Sequence, residues 1–148
     1  MSVKPYKGKW VIRWVNKKAS TAFSKESLCD LIAGYVNPSS ANSGAANKPV
    51  LGIYQGPTIS SATTGKYLYS NTAEVPVLVP ASPRASMLMD TTGTDLAITD
   101  QGNRFDMSTA LLVDTDANTN GAVRCIKYLS TSKGVFEISR GTNVSGTV

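Results

Sequence analysis

The chain has 148 residues, 41% hydrophobic and 17% charged, with 15 lysines and arginines against 10 acidic residues and no histidine. That length holds one domain with a real core, and the low charge is made up by Ser, Thr, Asn and Gly, residues of turns and strand edges. The missing histidine excludes Ser-His-Asp and Cys-His centres and the commonest metal ligand. Composition therefore points to a binding or structural protein without a cofactor rather than to an enzyme.

Residues 1–25 carry Lys4, Lys7, Lys9, Arg13, Lys17, Lys18 and Lys25 and no acidic side chain. Arg13, Asn16, Lys17 and Lys18 interrupt the apolar stretch 10–15, so no secretory leader is expected and synthesis in a cytoplasm is. No run approaches the ~18 apolar residues of a membrane helix. Over 6–17 the residues alternate. Tyr6, Trp10, Ile12 and Trp14 share one parity, and Lys7, Lys9, Val11, Arg13, Val15 and Lys17 the other. Such alternation predicts a strand with both tryptophans on one face and the charges opposite, although a helix would also bring Trp10 and Trp14 together. The tryptophans fit either core packing or an aromatic anchor for a partner. Residues 1–25 are thus expected as a basic aromatic arm or strand.

A single β-rich domain is expected over 26–140. Residues 24–32 read as a short helix or irregular turn, and 38–48 as a small, polar, flexible loop. Short apolar runs follow at 50–54, 67–69, 75–79, 85–89, 96–98, 110–113, 123–129 and 135–138, nearly all separated by turn residues. Pro76 and Pro80 predict that 75–79 is an edge strand or is paired on one side only. The last two runs, joined through Gly134, predict a hairpin, and 141–148 a frayed tail. The fold class is mainly β, a small barrel or sandwich of short antiparallel strands with an extended N-terminal arm.

Cys29 and Cys125 read as buried thiols, with a disulfide as the alternative. Gly65-Lys66 lacks the spacing of a phosphate loop. Asn143-Val-Ser145 has the form of a glycosylation acceptor, which matters only on a secretory route. Asp114, Asp116, Asn118 and Asn120 alternate as calcium ligands do, but Thr119 stands where a glycine is needed and Cys125 where a glutamate is. The metal reading is therefore weak, and Asn120-Gly121 predicts a tight turn between strands. Over 90–116, Asp90, Asp95, Asp100, Asp106, Asp114 and Asp116 face Arg104 alone, six negative charges against one positive. These aspartates read either as turn formers or as an acidic surface that a basic arm could dock on, in a neighbouring copy or another partner. Nucleic acid is a third candidate partner for the arm, through Lys/Arg alternating with tryptophan.

The order of several short segments resembles the head decoration, or cement, proteins of tailed bacteriophages. These are Ser20-Thr-Ala-Phe23 after the tryptophans, Gly34-Tyr-Val-Asn-Pro38, Pro49-Val-Leu-Gly-Ile-Tyr54, Val75-Pro-Val-Leu-Val-Pro80, Gln101-Gly-Asn-Arg-Phe-Asp106 and Lys127-Tyr-Leu-Ser-Thr131. The resemblance implies a β-rich virion protein on the outer capsid surface. It would bind the major capsid protein, act as a homo-oligomer with a trimer favoured, and stabilise the shell. It carries no catalytic residues across. A subunit of another phage assembly, such as the tail, is the alternative. From the residues themselves, the partner-binding candidates are Lys4, Tyr6, Lys7, Lys9, Trp10, Arg13 and Trp14, which join basic and aromatic side chains on one stretch.

Overall fold

The computed structural model describes residues 1–60 and 73–139. The expected run at 67–69, the Gly65-Lys66 turn, the tail 141–148 and Asn143 lie outside them. The strands are β1 (Lys4–Lys7), β2 (Trp10–Asn16), β3 (Ser27–Ile32), β4 (Tyr35–Pro38), β5 (Val50–Tyr54), β6 (Glu74–Pro80), β7 (Ser86–Thr92), β8 (Arg104–Met107), β9 (Leu112–Asp114), β10 (Val123–Ser130) and β11 (Lys133–Ile138). A 3-10 turn spans Ile98–Asp100. The protein is mainly β, as its composition predicts.

Strands β7, β11, β10, β8 and β9 form a small closed barrel. Closure comes from β9 returning in parallel to β7, with Asp90 opposite Leu112 and Thr92 opposite Asp114. β1 pairs with the earlier part of β7, Lys4 opposite Leu88. The predicted hairpin is β10–β11, with Ser130 opposite Lys133. The second sheet runs β2-β6-β5-β3-β4. It curls until Lys17 bridges Val36 and the Lys18 N–H donates to the Val36 carbonyl at 3.0 Å.

The second sheet separates two cores. Leu28 and Ile53 join the barrel cluster of Met87, Met89, Phe105, Met107, Val123 and Phe136. Their chain neighbours Cys29 and Tyr54 turn the other way, into a cluster with Val15, Phe23, Val36, Val75 and Val77. Alternate side chains of β3 and β5 are thus buried on opposite faces. This corrects the expectation of a helix or irregular turn at 24–32. A strand buried on both faces loses its polar alternation, and Ser27, Leu28, Cys29 and Asp30 are all buried.

Two glycines are required by this arrangement. Gly8 has φ of 83°, and a Cβ there would lie 2.5 Å from the Ala85 Cα. It carries the chain out of the barrel sheet at Lys7 and into the second sheet at Trp10. Gly52 lets β5 cross close to β6, since a Cβ there would lie 2.0 Å from the Leu78 carbonyl oxygen.

β6 is not an edge strand. It pairs with β2 over its whole length and with β5 at Leu78 and Val77. The Pro76 carbonyl accepts from the Gln55 N–H at 2.9 Å, so Pro76, Leu78 and Pro80 direct their backbone groups toward β5. The missing proline N–H groups therefore fall on the side where the ladder is short.

The run at 96–98 is not a strand either. Leu96 is buried in the barrel cluster while Ile98 stands in solvent. Both cysteines are free and buried, Cys29 in one core and Cys125 in the other. Burial pushes both thiols above their ordinary pKa, so neither is a ready nucleophile.

Candidate docking surface

The basic aromatic stretch is divided between the two sheets, and only part of it is solvent-facing on both sides. Residues Val11, Ile12, Arg13 and Trp14 of β2 are all exposed, with Trp14 at 60%. One backbone edge of β2 bonds to β6. Among the described residues no strand pairs along its other edge, apart from the bridge beyond its end at Lys17. An ordinary edge strand buries one face. This one leaves both faces exposed from Val11 to Trp14.

Parity is as predicted, and the face buried at the end of the strand is the odd-numbered one. The odd positions turn inward at the end of the strand, Val15 into the second core and Lys17 fully buried beside it. The tryptophan parity points outward. Trp10 is partly covered by the barrel cluster and donates its indole N–H to the Lys7 carbonyl at 3.3 Å, whereas Ile12 and Trp14 remain in water. The sheet curls around the face carrying Val75, Val77 and Val15, so residue type on β2 did not choose the inside.

Lys17 is buried, unlike the other cations of this stretch. Its Nζ donates to the Lys18 carbonyl at 2.7 Å and lies 5.6 Å from the Phe23 ring centroid. Burial lowers its pKa, because the charged form loses hydration. The other cations differ. Lys4 forms an exposed ion pair with Glu26 at 3.2 Å, a contact of little weight, and Lys7 sits over the Tyr6 ring at 5.7 Å. Lys9 and Arg13 are exposed.

Most of the acidic segment is consumed by turns. Asp114 Oδ1 accepts from the Asp116 N–H at 2.9 Å, and Asp116 accepts from the Thr94 N–H at 3.2 Å and its hydroxyl at 2.6 Å. Asn120 donates its side-chain amide to the Ala41 carbonyl. The carboxylates of Asp114 and Asp116 are thus engaged by backbone and hydroxyl donors, and among the described residues no group of three or more acidic or cysteine side chains is placed to hold a metal ion. The Asn120-Gly121 bend does not close a hairpin. It crosses from β9 to β10, and buried Asp106 holds it by accepting from both backbone N–H groups, at 2.8 and 2.7 Å.

One polar centre was not singled out from the sequence. Asp30 on β3 is buried, and its carboxylate accepts from Ser39 Oγ at 2.6 Å and Ser43 Oγ at 2.5 Å. Burial raises its pKa to about 6, against the pull of the two serines and of Lys48. The 38–48 loop, read as flexible, is tied to the core by this clasp. The available signal was a lone Asp inside Leu-Cys-Asp-Leu-Ile. The loop also borders an apolar cleft of about 360 Å³ where β5 and β6 diverge, walled by Pro49, Val50, Leu51, Val79, Pro80 and Ile138. Its Glu137 faces Arg124 at 3.3 Å.

Comparison of the chain with models of protein families, with curated proteins and with solved structures returned no match.

Proposed function

We propose that this chain is a structural protein that fastens in many copies onto the outside of an assembled protein shell, in the manner of the phage head decoration proteins its segments resemble. The observation that carries this reading is β2. Val11, Ile12, Arg13 and Trp14 are exposed on a strand that, among the described residues, is bonded along one edge. Aromatic and arginine side chains supply most binding energy at interfaces, and an open edge offers backbone bonds to an incoming strand. The partner is the major capsid protein, and the place of action the outer capsid surface. Contacts of modest strength suffice there, because a repeating shell presents the same site many times and multivalent engagement adds avidity.

The test is cosedimentation of the purified protein with assembled shells from the same source, alongside a search for the protein in purified particles. Binding that Trp14→Ala and Arg13→Ala weaken together, with melting temperature unchanged, supports the reading. Particles that lack the protein and shells that fail to carry it down would overturn it. So would salt-sensitive binding to nucleic acid with none to shells.

A further inference from the structure

A second surface relation is set by the barrel and does not depend on β2. Strand β7 is seven residues long, from Ser86 to Thr92, about 20 Å. At its first end Lys7 pairs with Ser86 and Gly8 packs on Ala85. The Lys9 N–H donates to Ser82 Oγ at 3.0 Å. Lys7, Lys9 and Arg84 therefore share this end, all exposed. None of them forms an ion pair among the described residues.

At the other end, Asp114 pairs with Thr92, Asp116 caps Thr94, and Asp95 follows in the chain. Lys133, on the adjoining strand β11, already faces Asp90 at 3.7 Å. Each corner also exposes an apolar group, Tyr6 beside Lys7 and Ile98 near Asp95.

These corners hold three positive and three negative charges about 20 Å apart. At physiological salt the screening length is ≈ 8 Å, so they scarcely interact within one molecule. Brought into contact between molecules, they do. We infer that copies of this chain associate head to tail, the Lys7–Lys9–Arg84 corner of one against the Asp95–Asp114–Asp116 corner of the next. A second copy is the fitting occupant because each chain carries both complementary halves. The contact is heterologous, so it closes into a ring or propagates, according to the rotation it imposes.

Sedimentation velocity of the whole protein over a concentration series tests this. At about 0.01 M salt, where screening reaches ≈ 30 Å, wild type associates, and at about 1 M salt it dissociates. Lys9→Glu/Arg84→Glu lowers the association constant by about ten-fold or more, and so does Asp95→Lys/Asp114→Lys. Asp95→Lys alone serves if the double variant melts early. Mixing the two reversed proteins restores association between unlike copies. Wild type that stays monomeric at low salt, or association that neither reversal weakens, overturns the inference. Trp14→Ala leaves this association intact, which separates its failure from failure of shell docking.

Discussion

Asp30 makes stability depend on pH in an unusual direction. Its carboxyl rises from 3.8 to about 6, chiefly through burial. Because the folded pKa lies above the unfolded one, the folded state holds the proton more tightly. Stability therefore falls as pH rises through this window. At 1.36 kcal/mol per pKa unit, the ionised group costs about 3 kcal/mol above pH 6. That penalty is relieved as pH falls through about 6 and is gone near 3.8. Asp30→Asn keeps the shape, removes the charge and lets one serine hydroxyl turn to accept. Urea unfolding of wild type and variant from pH 4 to 8 should show curves that diverge upward in pH, with the variant gaining up to about 3 kcal/mol relative to wild type. Comparing the two proteins cancels the remaining titrating groups. A stability difference that stays constant across this range would refute the assignment.

Three further outcomes follow from named contacts. Asp106→Ala leaves the Asn120 and Gly121 N–H groups without their acceptor, a loss of about 1–3 kcal/mol, readable by urea unfolding and by faster amide exchange at those two residues. Gly52→Ala sets a Cβ 2.0 Å from the Leu78 oxygen, and the backbone shift required costs about 1–3 kcal/mol or more, seen as a lower melting temperature. Trp14→Ala changes unfolding free energy by within about 0.5 kcal/mol, since the side chain is 60% exposed. Its loss should appear only in shell cosedimentation.

Legibility tracked how each strand is buried. The run at 50–54 coincides with β5, and the hairpin stands as read, because apolar runs between turn residues mark short strands. β3 was missed because both its faces are covered, which erases period two. β4 contains Asn37 and Pro38, residues of turns. β8 reads Arg-Phe-Asp-Met, an alternation hidden by a buried aspartate whose partners, the amides of Asn120 and Gly121, lie across the fold. Asp30 was illegible for the same reason, since Ser39 and Ser43 meet it only through the β3–β4 pairing. Proline in β6 argued for an edge, and only the register shows which side of the strand lacks donors.

Strand β2 holds the two departures that the fold itself does not demand. Its end places a lysine where an aliphatic side chain would pack, with Phe23 and one carbonyl as company. Its beginning places valine, isoleucine and tryptophan where any β-forming polar residue would serve. Threonine at 12 or 14 would keep the ladder with β6 and remove apolar area from water, so folding energetics favour neither residue found there. Exposed apolar side chains scattered singly need no explanation. Ile12 and Trp14 together on one face, with Arg13 on the other, on a strand whose second edge is unpaired among the described residues, form the kind of patch that marks an interface. An uncovered edge of this kind is also an aggregation hazard, and the charges of Lys9 and Arg13 oppose symmetric pairing with another β2. Among the described residues the strand is thus guarded against itself while left open to a partner of different charge, as the proposed docking onto a shell would require.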